Sequence, residues 1–143
     1  MTPDGLDLSV ARSPEDIAAC MALRWDVFVV EQHVPEADEL DGLDDACVHV
    51  LARMRGNVVG AARYRVLRGV VKVQRVCVDK PIRGAGVGAA LIQFICADSG
   101  ARHARLSAQT DALAFYEGLG FSSTGEVYMD AGLPHQDMEK ELG

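Results

Sequence analysis

Residues 83–89, RGAGVGA, decide the fold, because they join a strand-like run at 70–78, VVKVQRVCV, to a run with helical spacing at 87–98, VGAALIQFICAD. The first N–H groups of a helix have no backbone partner and lie at the positive end of the helix dipole, so an anion bound there gains several hydrogen bonds. Glycines let a bulky phosphate approach the backbone, and Arg83 adds a forked guanidinium that suits phosphate oxygens. The stretch predicts a strand, a pyrophosphate-binding turn and a helix.

Other glycine-rich turns are the alternatives to this interpretation. Tight turns and close helix packing also select glycine, so the turn alone is a weak signal. A dinucleotide-binding turn requires a parallel βαβ unit near the chain start, and a P-loop requires Lys-Ser or Lys-Thr. Here a predicted hairpin meander precedes the turn, and residues 87–89 offer no such pair. Neither common nucleotide motif fits.

Hydrophobic periodicity predicts the other elements of the chain. Ser13 is predicted to cap a long helix that extends to about Val30, with Pro14 in its first turn. Residues 34–45 are acidic and poor in apolar side chains, and they are predicted to form a long loop. Strands are predicted at 6–11, 47–54, 58–66, 70–78, 105–108, 121–129 and 135–142, and further helices at 87–98 and 111–119.

Composition limits the class of protein. A chain of 143 residues has the usual size of one domain, so we expect a single domain over residues 1–143. The formal net charge of -7 has the wrong sign for a protein that neutralises nucleic-acid phosphates. No apolar run is long enough to span a membrane, the start of the chain lacks a signal-peptide pattern, and the four cysteines are far apart. We expect a cytoplasmic protein with reduced thiols that binds neither nucleic acid nor membrane.

Charge is distributed unevenly along the chain. Acidic residues concentrate between Glu31 and Asp45, whereas arginines cluster between Arg53 and Arg83. This asymmetry suggests a cationic acceptor at one end of a site and an anionic cofactor at the other. Two solvated surface stretches of opposite sign would give the same pattern.

Two motifs resemble those of the GNAT acyltransferase superfamily. The pattern R-x-x-G-x-G/A, matched by Arg83, Gly86 and Gly88, resembles its acetyl-CoA signature, and residues 109–121, QTDALAFYEGLGF, resemble N-x-x-A-x-x-F-Y-E-x-x-G-F with Gln109 in place of Asn. Residues 24–32, 35–41 and 132–135 are similar to the ElaA-like and YjcF-like branch. The resemblance implies an α/β fold with a twisted, mostly antiparallel sheet of six to seven strands and helices on both faces.

The resemblance also implies a reaction. An acetyl group would pass from acetyl-CoA to a primary amine of a small-molecule acceptor by direct transfer in a ternary complex, with no metal. Backbone N–H groups of the strand before the turn would hold the thioester, and the turn would hold the pyrophosphate. The cofactor-binding residues implied are Val76, Cys77, Val78, Arg83, Gly84, Ala85, Gly86, Val87, Gly88, Ala89 and Gln109.

Candidate catalytic groups follow from the same resemblance. Tyr116 matches the position that donates a proton to the coenzyme A sulfur, although a core tyrosine would give the same pattern. Glu31 is the leading candidate for the base that accepts the amine proton, with His135 and Asp38 as second choices. The acceptor pocket is predicted to be lined by Arg24, Gln32, Arg75 and His135.

Two other functions are compatible with the sequence. An acyl-homoserine-lactone synthase shares the fold, but such enzymes commonly dock an acidic carrier protein, which this acidic chain would repel. A non-catalytic acyl-CoA-binding module would keep the glycine turn and show no turnover. The oligomeric state is open, and a homodimer is one possibility.

Overall fold

Seven strands form one sheet in the computed structural model, which describes residues 3–143. Their order is β1-β2-β3-β4-β5-β7-β6, and neighbouring strands are antiparallel except β4 and β5, which are parallel. The predicted mixed α/β fold with a mostly antiparallel sheet is confirmed. The strands are β1 Leu6–Ala11, β2 Val48–Met54, β3 Asn57–Leu67, β4 Val70–Val78, β5 His103–Gln109, β6 Ser122–Asp130 and β7 Leu133–Glu141.

The long first helix is present, but its second half is a π-helix. Helix α1 spans Pro14–Arg24, and the Ser13 hydroxyl accepts a hydrogen bond from Asp16 N at 3.1 Å, as predicted for the cap. The chain then continues as a π-helical segment, Trp25–Glu31. The other helices are α2 Glu36–Glu39, α3 Val87–Asp98 and α4 Leu113–Gly118, with 3₁₀ turns at Asp44–Ala46, Lys80–Ile82 and Thr110–Ala112. None of the helices within residues 3–143 is long and apolar enough to cross a bilayer.

The two faces of the sheet carry separate hydrophobic cores. Successive residues of a strand point to opposite faces, so Val50 packs into the core beneath α3 while Leu51 packs into the core beneath α1. Helix α3 lies so close to the sheet that a Cβ on Gly60 would stand 2.8 Å from Val87 Cγ1. Helices therefore flank the sheet on both sides, as predicted.

Strands β4 and β5 separate part of the way along their length. Their parallel pairing ends at Val73 and Leu106. Beyond that point β4 carries a β-bulge, because Ala61 pairs with Cys77 whereas Arg63 pairs with Gln74, which leaves one extra residue on β4. A bulge bends its strand and increases the local twist. The backbone of the last part of β4 therefore faces an open gap.

The acidic segment is not the open loop predicted from sequence. It contains α2 and a 3₁₀ turn, and its carboxylates bind buried arginines. Arg24, which is fully buried, lies 2.9 Å from Glu39 Oε2 and 2.6 Å from Asp44 Oδ1. A buried guanidinium without an anionic partner would be costly, so these acids are counterions. The prediction that the segment attracts a cationic acceptor is revised accordingly.

Arg63 and Arg75 complete this network. Buried Arg63 on β3 lies 2.6 Å from Asp41 Oδ2 and 2.8 Å from Asp44 Oδ1, and Arg75 Nε lies 2.8 Å from Glu39 Oε1. The hydrogen bond from Arg63 lowers the pKa of Asp41 to about 2. Since that pKa lies below the unfolded value near ~3.9, the ion pair stabilises the fold above about pH 4 and is lost as the pH falls toward 2.

The buried ion pair of Arg24 and Glu39 gives a stability prediction. Replacing Glu39→Gln removes one anion from a buried guanidinium, and we expect the free energy of unfolding to fall by about 3 kcal/mol, as measured by urea denaturation. Glu36→Gln is the matched control, because Glu36 lies on the same short helix but is exposed, and its loss should change stability by less than about 0.5 kcal/mol. Equal midpoints for the two variants would contradict the assigned role.

Candidate active site

A cleft of about 620 Å³ occupies the gap between the separated ends of β4 and β5. Its walls come from the π-helical segment, the glycine-rich turn with the start of α3, and the turn and helix that follow β5. The lining residues are Val27, Phe28, Gln32, Val73, Gln74, Arg75, Val76, Cys77, Val78, Arg83, Gly84, Gly86, Val87, Gly88, Ala89, Leu106, Ser107, Ala108, Gln109, Asp111, Ala112, Phe115, Tyr116 and His135.

The glycine-rich turn has the geometry of an anion site. Gly86 is the N-cap of α3 with φ of 92°, a left-handed conformation that glycine adopts without strain. The first backbone hydrogen bond of α3 runs from Ala90 N to Gly86 O at 3.1 Å. The N–H groups of residues 87–89 precede that bond and belong to residues that line the cleft. Orphan donors at the positive end of a helix dipole therefore face the cavity.

Arg83 lies at the same turn, but its guanidinium binds protein acceptors. Its Nε donates to Val78 O at 2.9 Å, and Nη1 and Nη2 donate to the two carboxylate oxygens of Glu31 at 2.6 and 2.8 Å. The hydrogen bond from Arg83 lowers the pKa of Glu31. Glu31 does not line the cleft and is a weakened base, so its placement does not agree with the predicted role as catalytic base.

Tyr116 lines the cleft from within an aromatic cluster. Its ring contacts Phe115 and Phe121 edge to face, with centroid separations of 5.0 and 5.9 Å. Burial raises the pKa of Tyr116 to about 12. The phenol therefore keeps its proton at neutral pH and is a weaker acid than an exposed tyrosine.

Two glutamines bridge the cleft. Gln109 lies at the end of β5, and Gln32 lies just after the π-helical segment. Gln109 Nε2 donates a hydrogen bond to Gln32 Oε1 at 2.8 Å. Position 109, where the superfamily pattern has Asn, thus carries an amide whose hydrogen bond ties one wall to the other.

Cys77 lies in the cleft wall without the features of a nucleophile. Burial raises the pKa of its thiol to about 12, so the reactive thiolate form is suppressed. All four cysteines are free, as predicted. No cluster of three or more His, Cys, Asp or Glu side chains within residues 3–143 is arranged to hold a metal ion.

A second cavity of about 330 Å³ meets the cleft at the end of the β4–β5 ladder. We call it the outer pocket. Its lining includes the charged residues Lys72, Arg105, Asp130 and Asp137, which do not line the main cleft. The place where the two cavities meet is called the junction. The junction residues, which line both cavities, are Val73, Gln74, Arg75, Leu106, Ser107 and His135.

His135 is oriented at this junction by the backbone. Its Nδ1 lies 2.8 Å from Leu133 O, and because a carbonyl only accepts, Nδ1 carries the proton. The neutral ring then has its free lone pair on Nε2. Stacking against Tyr128, at 6.2 Å between centroids and 24° between planes, holds the ring plane.

A hydrogen-bonded group of three residues beside His135 was missed from sequence: Ser107, Tyr128 and Asp137. Tyr128 OH donates to Asp137 Oδ1 at 2.6 Å and also contacts Ser107 Oγ. These side chains come from β6, β7 and β5, so their proximity depends on the strand order. No spacing in the sequence shows it.

Most predicted site residues lie together. Of the predicted cofactor residues, only Ala85 does not line the cleft. Of the predicted acceptor residues, Gln32, Arg75 and His135 line it. Arg24 is fully buried in the ion-pair network, which contradicts its predicted role in binding the acceptor.

Comparison with known proteins gives the same assignment. The family described as "Acetyltransferase (GNAT) domain" matches residues 11–142. The uncharacterized N-acetyltransferase YjcF of Bacillus subtilis is 37% identical over 136 residues, covering 92% of this chain and 97% of YjcF. Protein ElaA of Escherichia coli is 32% identical over 141 residues, covering 91% and 90%.

A solved structure agrees over the whole fold. The crystal structure of a candidate N-acetyltransferase from Lactobacillus plantarum superposes with a TM-score of 0.89 at 28% identity, and the match covers 97% of this chain and 99% of that one. The family match, the alignments with relatives and the structural superposition all cover nearly the whole chain, including the residues that line the cleft. The chain therefore belongs to the GNAT family and is an acyltransferase of the ElaA-like and YjcF-like branch.

Proposed function

We propose that this enzyme transfers the acetyl group of acetyl-CoA to a primary amine of a small-molecule acceptor by direct attack in a ternary complex. The observation that carries the proposal is the junction between the two cavities. One cavity has an anion-binding turn at its far end, and the other has charged walls. A thioester in the first cavity and an amine in the second would meet between β4 and β5.

The main cleft suits coenzyme A. The orphan N–H groups of residues 87–89 would bind the pyrophosphate, and Gly84 and Gly86 leave room for it at the backbone. The backbone of Val76, Cys77 and Val78, which faces the gap, would pair with the amides of the pantetheine arm and polarise the thioester carbonyl. Gln109 and Ala89 would add to this wall.

Proton transfer requires an acid and a base on either side of the thioester. The amine nitrogen forms a bond to the carbonyl carbon, the carbon–sulfur bond breaks, and the thiolate takes the proton of Tyr116. The proton lost by the amine passes to His135 Nε2. The products are an amide and the free thiol, and Tyr116 recovers its proton from solvent.

His135 is a better candidate for the base than Glu31. It lies at the junction with one ring nitrogen fixed as a donor, so the other is available as an acceptor. Glu31 is bound on both carboxylate oxygens by Arg83. Gln32, Arg75 and His135 would form the acceptor side of the junction.

The anion site is tested by Gly86→Glu. A side chain at this left-handed position strains the backbone and puts bulk and negative charge where the pyrophosphate would bind, so calorimetry should detect no binding of coenzyme A. Gly56→Glu is the matched control, because Gly56 has a φ of 80° in the turn between β2 and β3 and no atom close to its Cβ position. Wild-type affinity in the Gly86 variant would refute the site.

The acid role and the function itself are tested by thiol release. Acetyl-CoA with a panel of primary amines should release free thiol, and Tyr116→Phe should lower kcat about 100-fold with little change in cofactor affinity, because only the phenolic proton is lost. Tyr64→Phe is the matched control and should leave kcat near wild type, because it removes the hydroxyl of a buried tyrosine that lines neither cavity. A wild-type enzyme that binds acetyl-CoA but releases no thiol with any amine would be a binding module.

The base role is tested by the kinetics of a His135 variant. His135→Gln should lower kcat about 100-fold with little change in KM for acetyl-CoA, because only the group that accepts the amine proton is lost. His103→Gln is the control, because His103 lies at the exposed start of β5 outside both cavities. Wild-type kcat in the His135 variant would assign the base elsewhere.

A further inference from the structure

Three cationic side chains stand side by side across the sheet. Arg65 on β3 is directly opposite Lys72 on β4, and Lys72 is directly opposite Arg105 on β5. Residues opposite each other in register point to the same face, and adjacent strands are about 4.8 Å apart. Like charges in this arrangement repel, which destabilises the sheet unless an anion is present.

Glu139 on β7 is directly opposite Arg105 in register, but the two side chains form no ion pair. No carboxylate oxygen of residues 3–143 lies within 4.0 Å of Arg65, Lys72 or Arg105. Arg65 Nε is buried and has no hydrogen-bond partner. The arginines with a carboxylate partner are Arg24, Arg53, Arg63, Arg75 and Arg83. The cationic row, Arg65–Lys72–Arg105, therefore has no ion-pair partner in the described part of the chain, although the protein has an excess of acid.

The cationic row reaches the outer pocket. Lys72 and Arg105 both line it, two residues along their strands from Gln74 and Ser107 at the junction. Two residues of a strand span roughly 7 Å, a distance that lysine and arginine side chains can cover. An anion held by this pair would lie within a small molecule's length of the thioester.

The opposite wall of the outer pocket is acidic. Asp130 and Asp137 line it, and Asp137 is directly opposite Ser107 in register. Neither forms an ion pair with a basic residue of the described chain. The pocket thus offers carboxylates near the junction and free cations beyond it.

We infer that the acceptor is a dipolar molecule that carries an anionic group, carboxylate or phosphate, besides its primary amine. The inference rests on the proposed function and names the substrate class of the same site. Lys72 and Arg105 bind the anionic group, and Arg65 adds to the positive potential behind them. Asp137 attracts the ammonium form to the junction, the ammonium loses one proton to solvent to become the nucleophilic amine, and His135 takes the second proton once the amine attacks.

Paired acceptors test the inference. Amino acids are compared with their carboxamides, and phosphoethanolamine with ethanolamine, by thiol release from acetyl-CoA. We expect kcat/KM to be at least tenfold higher for the anionic member of a pair. The carboxamide's amine is less basic and more often neutral at pH 7, so intrinsic reactivity alone would favour the opposite order. The phosphate and carboxylate pairs together show which anion the pocket takes.

Substitutions locate the effect. Lys72→Met and Arg105→Gln should raise KM for the anionic acceptor about tenfold or more, while KM for its neutral partner, KM for acetyl-CoA and kcat stay near wild type. Arg102→Gln is the control, since it removes the same charge from an exposed residue outside both cavities. An unchanged KM for the anionic acceptor in both pocket variants would overturn the assignment.

The outcomes separate this inference from the proposed function. Equal turnover of anionic and neutral partners would overturn the substrate class and leave the acyltransferase reaction in place. The absence of thiol release with every amine, from protein that binds acetyl-CoA, would instead overturn the proposed function.

Discussion

The early end of the β4–β5 ladder is the constraint on which the rest of the structure depends. Backbone N–H and C=O groups rarely stay unpaired in a protein interior, because each unpaired group costs free energy. After Val73 and Leu106 the two strands no longer satisfy each other. The gap therefore presents unpaired main-chain groups of β4 to any molecule that enters the cleft. The bulge at Arg75, with φ of 56°, bends β4 away and keeps the gap open.

The acidic segment is held by charge rather than by apolar packing. Arg24 and Arg63 are fully buried, and their acidic partners come from the segment between the π-helical segment and β2. Ion pairs of this kind contribute little net stability compared with apolar residues, but losing one partner is costly. Their effect is to fix one arrangement of a segment that has few apolar side chains of its own. Arg75 links the same network to the bulge.

The sequence predicted local features well and distant contacts poorly. Short-range patterns in the sequence predicted the glycine turn, the cap at Ser13 and strand β4. A short-range pattern also singled out Tyr116, which lines the cleft. The partners of Arg24, Glu31 and the acidic segment do not, because each ion pair joins residues far apart in the chain, such as Arg83 and Glu31. Ser107 of the junction and its neighbours Tyr128 and Asp137 come together only through the order β5-β7-β6. That order is a property of the sheet, which hydrophobic periodicity does not encode.

The ion pair of Arg83 with Glu31 affects how the diphosphate of coenzyme A would bind at the glycine-rich turn under the proposed function. Both arms of the guanidinium fork already have a carboxylate, so a diphosphate arriving at the turn meets a nearly neutral couple rather than a bare cation. Under the proposed function, attraction for the diphosphate would come chiefly from the uncharged main-chain dipoles at the start of α3. Oriented dipoles act over a short range. The affinity for the cofactor should therefore depend less on ionic strength than the affinity of a site built on exposed charges.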